Sequence, residues 1–477
     1  MTMASFSGAL QIADLDDFIL PSQECIKPAK VEKVDRKKSS KAKLKIKDGG
    51  GDDGATRSYE KATITLADCL ACSGCITSAE TVLIEMQSGK QLAKILADKT
   101  AGADGAYTHV VLSMQLQPIL SIAQKSGFSS ATEVAERLSS FMRDLGVDVV
   151  TDLAVAEKIS LLELRKEFVA RKAGGRGPLP LLSSSCPGWI CYAEKTHGSW
   201  ILPHVSRVKS AQQIMGSFVK DHYAKRNGLD PKAVCHVSLM PCFDKKLEAS
   251  REDFADEGTG VKDVDLVVTT VEVEEMLHEG GINLSDLSRS NIDDLFGGRE
   301  EAPFSASNYG SGSGGYANDV FVHAAKELLG ETVDPGQVTY ATLKNADFQE
   351  TCLQTGSGSP QLRFGVANGF RNIQNLVQKL KRGKGNFDFV EVMACPAGCL
   401  NGGAQARPPH EVTQKEMLAK LEESFSLMDK WSAKSSDAGV SAAYDEWLLG
   451  REEVALKMLH TDYHEIEKMT NSLAIKW

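Results

Sequence analysis

The chain of 477 residues has a net charge of −10, and its apolar fraction of 42% is ordinary for a soluble globular protein. The length allows two or three domains with their own cores. The acidic balance argues against nucleic acid as the main partner and mildly against an acidic membrane surface. No apolar run approaches a membrane span, and the N-terminus Met1-Thr-Met-Ala-Ser-Phe6 lacks the features of a signal peptide. We therefore expect a cytosolic protein with no membrane or nucleic-acid partner. Its eleven cysteines would then be metal ligands, redox thiols or core residues rather than disulfides.

Residues 1–104 are predicted to form an N-terminal segment that ends before the regular α/β pattern begins. An acidic patch at residues 14–17 precedes Cys25, and a lysine-rich run over residues 27–47 follows it. Such a run is typical of a nuclear signal or a nucleic-acid patch. We favour a solvated linker, because no aromatic residues are interleaved and a glycine-rich stretch follows at 49–54.

Three cysteines of this segment, Cys69, Cys72 and Cys75, form a C-x₂-C-x₂-C pattern. In this spacing the backbone can wrap around a cube-shaped cluster, and thiolates are the soft donors that iron–sulfur clusters prefer. Zinc is the competing metal, but structural zinc sites usually pair two such knuckles, and the sequence has no second one. A [4Fe–4S] cluster needs a fourth ligand. Because the next cysteine along the chain is Cys186, we assign Cys25 to the first cluster with Cys69, Cys72 and Cys75.

Residues 105–410 alternate between patterns of buried strands and helices, which is typical of βαβ units and parallel sheet. Seven apolar runs predict strands buried on both faces, at Thr108–Met114, Val147–Val155, Leu179–Ser183, Val234–Met240, Val264–Thr270, Leu362–Ala367 and Phe387–Met393. Helical periodicity lies between them, at Ala131–Leu145, Ser160–Lys172, Ser210–Arg226, Val271–Glu279, Tyr316–Leu329 and Phe370–Arg382. We expect an α/β domain with its strands divided between two smaller lobes, followed by a helix-rich tail at 411–477.

Four cysteines follow predicted strands, and three of them stand beside proline. They are Cys186, Cys242, Cys395 and Cys399. Ligands of α/β proteins gather at the carboxyl ends of strands, so thiols from three strand ends can converge and complete a second [4Fe–4S] site. The alternative is that they are buried cysteines used as small apolar residues. The flanking proline and glycine residues make that alternative weaker, since they indicate tight loops.

The remaining cysteines, Cys191, Cys235 and Cys352, lack this strand-end setting and are predicted to be core or incidental thiols. The tract Tyr309-Gly-Ser-Gly-Ser-Gly-Gly315 precedes a predicted helix and could hold an anion at the helix N-terminus. It lacks the Gly-Lys-Ser/Thr of a Walker loop, and a lone glycine-rich tract is a weak signal.

Three motifs resemble the signatures of iron-only hydrogenases. They are Ser185-Cys-Pro-Gly-Trp189, Met240-Pro-Cys-Phe-Asp-Lys-Lys246 and Ala394-Cys-Pro-Ala-Gly-Cys-Leu-Asn-Gly-Gly403. The glycine-rich helix start near Gly314 is also similar, and the resemblance extends over residues 60–410. Within this superfamily the chain resembles the eukaryotic hydrogenase-like branch, also called nuclear prelamin A recognition factor-like. Residues 6–19, the Cys69 triplet and residues 186–198 are similar to that branch.

The resemblance implies a fold with two parallel-sheet lobes around a central cluster and a ferredoxin-like N-terminal cluster segment. It also implies a component of cytosolic iron–sulfur protein assembly that holds two [4Fe–4S] clusters. Such a protein links an early assembly scaffold to the late targeting complex. We expect it in the cytoplasm, with the nucleus as a further location.

Ser185 departs from the hydrogenase pattern. Hydrogenases have a cysteine at this position, which relays protons to the active-site iron. A serine hydroxyl is a much weaker acid than a thiol, so proton delivery near neutral pH would suffer. Lys245 matches the lysine that holds a diatomic ligand of the di-iron unit, so this position alone does not exclude a larger cofactor. Only one further cluster is visible in the N-terminal segment, and we expect no hydrogenase activity.

Two other function classes stay open from the sequence: a hydrogenase-type redox enzyme and a zinc-stabilised interaction protein. Trp477 ends the sequence, and a terminal Trp is either packed into the core or offered to a partner pocket. Clients of the targeting complex often end in an aromatic residue preceded by an acid, but Lys476 takes the acidic place here. We expect no ligand role for His460 and His464 in the same tail.

Overall fold

The computed structural model describes residues 78–175, 177–297, 306, 308–354, 361–428, 430 and 433–466. The predicted ligands Cys25, Cys69, Cys72 and Cys75 lie outside the described residues, as does Trp477. Within the described ranges, no helix has both the length and the apolar character needed to cross a bilayer.

The described residues form nine strands and fifteen α-helices. The strands are β1 (His109–Met114), β2 (Val149–Asp152), β3 (Leu181–Ser183), β4 (Val234–Met240), β5 (Leu266–Thr269), β6 (Ala341–Asn345), β7 (Phe348–Leu353), β8 (Leu362–Asn368) and β9 (Phe389–Met393). The helices are α1 (Ser78–Glu85), α2 (Gly89–Ala101), α3 (Leu116–Ser126), α4 (Ala131–Asp144), α5 (Ala154–Lys172), α6 (Pro187–Tyr192), α7 (Ala211–Phe218), α8 (Ala224–Arg226), α9 (Asp244–Ser250), α10 (Thr270–Glu279), α11 (Tyr316–Leu329), α12 (Phe370–Lys381), α13 (Gln414–Leu427), α14 (Ala433–Ala442) and α15 (Glu452–Leu459).

The first sheet has the strand order β2-β1-β4-β5, and all its strands are parallel. Every residue of β4 is buried, as expected for a central strand covered by helices on both faces. The apolar pattern predicts that the second strand extends to Val155, which is beyond its actual end at Asp152. The strand ends at Asp152 because the Asp152 carboxylate accepts a hydrogen bond from the Ala154 N–H at 3.1 Å and so helps start α5.

The second sheet has the order β3-β9-β8-β7-β6 and mixes two kinds of pairing. The strands β3, β9 and β8 are parallel, whereas β7 and β6 pair antiparallel as a hairpin at the edge. All seven predicted strands are present, but this hairpin was missed. Its edge strand β6 is mostly exposed and polar, so it lacks the apolar signal that identified the others.

The carboxyl ends of three strands bring the predicted cysteine loops together. The neighbouring parallel strands β3 and β9 end at the same edge of the second sheet, where Cys186, Cys395 and Cys399 follow. The strand β4 of the first sheet is followed by Cys242. Both sheets therefore contribute to one site, as the switch-point rule for α/β proteins leads one to expect.

The C-terminal elements pack on the α/β cores. Helix α13 buries Met417, Leu421 and Phe425 in one cluster of buried apolar residues, and α15 buries Leu459 in a second cluster. After α15, residues 460–466 form neither helix nor strand, and we call them the C-terminal strap.

Candidate metal centre

Cys186 lies at the N-cap of the short helix α6, directly after β3. The Ala394 N–H donates to its sulfur at 3.5 Å, and the N–H groups of Gly188 and Trp189 also point to it. The Ser184 hydroxyl accepts from the Cys186 N–H at 3.0 Å and so fixes the loop. A sulfur surrounded by backbone donors is suited to negative charge, as in a metal-bound thiolate.

Cys395 and Cys399 lie on a tight loop after β9. Ala397, between them, has a φ of 57°, a left-handed conformation that is costly for a residue with a side chain. The Ala397 N–H donates to the Asp347 carboxylate at 2.6 Å, and the Ser313 hydroxyl accepts from the Cys399 N–H at 2.8 Å. The missed β6–β7 hairpin supplies Asp347, so it supports the cysteine loop from outside the motif.

Glycines allow the three cysteine loops to interlock. A Cβ on Gly398 would stand 2.0 Å from the Ser313 hydroxyl, and one on Gly402 would stand 2.4 Å from the Pro241 carbonyl beside Cys242. A Cβ on Gly188 would come within 3.2 Å of the Asp244 carboxylate. These motif glycines are therefore required by close approach of neighbouring backbone and side chains.

The four thiols of this site are close enough to influence one another. Burial raises the pKa of each thiol, that of Cys399 to about 12, and in every pair at least one thiol's pKa is raised further by its neighbour. Four neighbouring thiolates in a buried place would repel strongly without a cation between them. The donor set therefore fits a cationic, sulfur-seeking group whose binding drives off the thiol protons.

Two kinds of metal group accept a donor set of four thiolates: a zinc ion and an iron–sulfur cluster. Within the described residues, no group of three or more His, Cys, Asp or Glu side chains is arranged to hold a metal ion. A tetrahedral zinc ion, with Zn–S bonds of about 2.3 Å, holds its sulfurs about 3.8 Å apart. A four-iron cluster places its ligands around a larger body, and thiolates are donors that both groups accept.

Comparison with known proteins gives a family for the whole chain. Residues 108–403 match the family "Iron only hydrogenase large subunit, C-terminal domain". The chain is 49% identical to the mouse "Cytosolic iron-sulfur assembly component 3" and 46% identical to a "Probable cytosolic Fe-S cluster assembly factor" of Aedes aegypti, with full coverage of both chains in each case. The chain belongs to the cytosolic iron–sulfur assembly component 3 family.

Members of this family named here are called assembly factors, whereas the similar solved structures are hydrogenases. The apo [FeFe]-hydrogenase of Chlamydomonas reinhardtii matches with a TM-score of 0.65 and 26% identity, covering 79% of this chain and 99% of the hydrogenase. A second [FeFe]-hydrogenase structure matches with a TM-score of 0.68 over 79% of this chain and 98% of its own. The predicted fold of the iron-only hydrogenase type is thereby confirmed.

In this assembly-factor family member, Ser185 lies beside Cys186 at the position that resembles the hydrogenase proton-relay cysteine. It shares a hydrogen bond with the Tyr316 hydroxyl. Both residues line a cavity of about 10 Å³, together with Ser183, Ser184 and Ser210. That volume holds about one water molecule.

Lys245, the second position of hydrogenase resemblance, is buried and already paired. Its ammonium contacts both carboxylate oxygens of Glu248, at 2.9 and 3.0 Å. Glu248 in turn accepts hydrogen bonds from Ser210 at 2.6 Å and Gln212 at 3.2 Å. The i, i+3 spacing on α9 could have identified this pair from the sequence.

The glycine-rich tract before α11 helps to hold a carboxylate of the protein itself. The Ala317 N–H at the start of α11 donates to the Glu391 carboxylate at 2.8 Å, and Ser311 of the tract donates to its other oxygen at 2.8 Å. Burial raises the pKa of Glu391. The acidic group at this helix N-terminus is thus a side chain of β9 itself.

The other three described cysteines are not members of this set of four thiols. Cys235 is buried inside β4, and Cys352 is exposed on β7. Cys191 lies near the end of α6, and burial raises its pKa to about 12. None of them is among the neighbours that raise the pKa values of the four thiols.

Replacing Asp347 by Ala should loosen the Cys395–Cys399 loop, because the strained Ala397 peptide loses the carboxylate that accepts its N–H. A lost hydrogen bond to a charged group amounts to about 1.5–3 kcal/mol, so we expect chelators to remove iron at least about tenfold faster. The rate is measured by optical bleaching under anaerobic chelation. Asp334→Ala is the matched control, since Asp334 caps a turn in the same way with the Gly336 N–H. Equal rates for both variants would contradict the role of Asp347.

Proposed function

We propose that this protein is a non-enzymatic component of the cytosolic iron–sulfur assembly machinery, a cluster-holding adaptor or carrier that helps deliver clusters to cytosolic and nuclear apoproteins. Cys186, Cys242, Cys395 and Cys399 hold one [4Fe–4S] cluster. Cys25, Cys69, Cys72 and Cys75 hold a second. The proposal is supported by the assembly-factor names of relatives that match over the whole chain.

The observation that carries the proposal is the convergence of three interlocked loops from two sheets on four thiols, of which Cys186 is buried and the other three are half-buried. A group held there joins both sheets, so its binding free energy adds to folding. We therefore assign the cluster at Cys186 and its partners a structural role. The N-terminal cluster is the one to be exchanged or oxidised, because closing the long chain between Cys25 and Cys69 makes Cys25 its weakest ligand.

Mössbauer spectroscopy with iron and sulfide counts on anaerobic protein tests the cofactor content. We expect about eight iron and eight sulfide per chain, all as [4Fe–4S]. Aerobic protein that contains zinc and no acid-labile sulfide would instead support the zinc-stabilised interaction protein.

The hydrogenase-type alternative is disfavoured by the site. A hydroxyl at Ser185 is a poor proton relay, the cavity beside it holds about one water, and Lys245 is engaged by Glu248. We expect no hydrogen uptake, no proton reduction and no vibrational bands from iron-bound CO or cyanide in the reconstituted protein. Any of these signals would instead support a hydrogenase-type enzyme.

Deleting Trp477 should weaken binding to the late targeting complex. A buried Trp anchor commonly contributes 2 kcal/mol or more, which predicts a Kd at least about thirtyfold higher. Pull-down followed by titration against the purified complex measures the change. Asn471→Ala in the same tail serves as control, and unchanged binding without Trp477 removes this residue from the interface. Binding to an early assembly scaffold should not change.

A further inference from the structure

An apolar face on α1 has no covering element among the described residues. Val82, Leu83 and Met86 are 53%, 40% and 65% exposed, and their spacing places them on one side of the helix and its final turn. We call these three residues the α1 apolar face. The opposite side is firmly packed, because Ile84 is fully buried and the Gln87 amide donates to the Lys246 carbonyl at 2.8 Å. The exposure is therefore not due to a loosely attached helix.

The C-terminal strap leads towards this face through a series of contacts. It starts at His460, whose ring lies 2.9 Å from the Glu163 carboxylate. Asp462 then pairs with Arg207 at 2.7 Å. The His464 N–H donates to the buried Glu194 carboxylate at 3.1 Å, and Arg251 donates to both oxygens of the same carboxylate at 2.7 and 2.8 Å.

The strap ends beside the residue that fastens α1. The Ile466 N–H donates to the Glu194 carbonyl at 3.4 Å. The next residue along, Lys195, holds both carboxylate oxygens of Glu80 in α1 at 2.6 and 2.7 Å. Ile466 is the last described residue of the strap, and it is 45% exposed. It is hydrogen-bonded to Glu194, and the neighbouring Lys195 pairs with Glu80 of α1.

The eleven residues that follow have a suitable length and composition for this face. Extended, they span up to about 36 Å, whereas the eight residues of α1 extend over about 12 Å. They include Met469, Leu473, Ile475 and Trp477. Lys468 and Lys476 are also present, and Glu85 lies exposed on α1.

We propose that residues 467–477 dock on the α1 apolar face, so that the chain covers its own Trp477. The inference rests on the proposed function in one respect, since it makes Trp477 available to the targeting complex only when the tail leaves α1. Tail docking and partner binding then compete, and removing the α1 apolar face strengthens partner binding.

A photo-reactive benzoylphenylalanine in place of Met86 tests the docking in the full-length protein without any partner. We expect cross-links from position 86 to residues 467–477, identified by mass spectrometry. The same probe at Leu427, which is 76% exposed on α13, should give none to the tail. Cross-links to residues 1–77, cross-links between two chains, or no cross-link at all would each overturn the proposal.

A second measurement uses Met86→Glu, with Leu427→Glu as matched control. Because both side chains are exposed, neither variant should alter the melting temperature. Trypsin should cleave after Lys468 at least about threefold faster in Met86→Glu only, and this variant should bind the targeting complex at least about threefold more tightly. Unchanged cleavage contradicts tail docking. If position 86 gives no cross-link to residues 467–477 but partner binding still depends on Trp477, tail docking is wrong and the proposed function is unaffected.

Discussion

Replacing Cys242 by Ala should remove one complete cluster and weaken the connection between the two sheets. Cys242 is the only ligand of its predicted set that follows a strand of the first sheet. We expect about four iron and four sulfide to be lost per chain. Because metal binding adds to folding and a chain of 477 residues loses about 1 °C of melting temperature per kcal/mol, a loss of several kcal/mol should lower the melting temperature by about 5 °C.

Cys235→Ala is the matched control for this experiment, since Cys235 is a fully buried cysteine of β4, the same strand that leads to Cys242. It removes a sulfur from the core without removing a predicted ligand, so the iron count should stay at that of the wild type. Cys352→Ser, at an exposed position, should change neither quantity. If the Cys242 variant retains its iron and melts like the wild type, the structural role of this site is wrong.

Much of the fold follows from local apolar pattern. The seven strands identified from apolar runs are all present, because strands buried on both faces carry a continuous signal. Strand β6 is exposed and polar, so its pairing depends on contacts that no local pattern shows. The second sheet accordingly has an antiparallel edge in addition to the predicted parallel part.

The cysteine constellation could be predicted because proline and glycine mark each loop at a strand end. The residues that hold the cysteine loops in place could not be predicted. Asp347 is 48 residues before Cys395 in the chain, and Ser313 is 86 residues before Cys399, yet Asp347 and Ser313 fix the Cys395–Cys399 loop. Contacts between residues so far apart in the chain leave no periodic trace. The eight predicted ligands and the domain boundaries at 104 and 410 stay predictions.

The role of His460 shows how the tail, predicted only as helical, is joined to the rest of the protein. Its ring meets the buried Glu163 carboxylate, which also accepts hydrogen bonds from Lys166 at 2.7 Å and from the Tyr444 hydroxyl. Burial alone would raise the pKa of Glu163, but these three donors outweigh it and lower the pKa from 4.5 to about 2. Glu163 therefore ties α5 to the C-terminal elements as an ionised group.

Replacing Glu163 by Gln should destabilise the protein in a pH-dependent way. A pKa lowered by about 2.5 corresponds to about 3 kcal/mol of folding free energy, which is fully present above pH 4.5. This contribution decreases as the pH falls from 4.5 towards 2, where the folded carboxyl also becomes protonated. The difference in unfolding free energy between wild type and variant should therefore be largest at pH 7 and shrink below pH 4.5.

Denaturant unfolding at pH 7, 5, 4 and 3 measures this difference. Glu453→Gln is the control, because its ion pair with Arg451 is exposed and such pairs stabilise little at any pH. A difference for Glu163→Gln that stays the same at all four pH values would mean that packing, rather than the charge of Glu163, holds the tail. Since the C-terminal strap begins at His460, the variant should also increase proteolysis of residues 460–466 at pH 7, whereas the control should not.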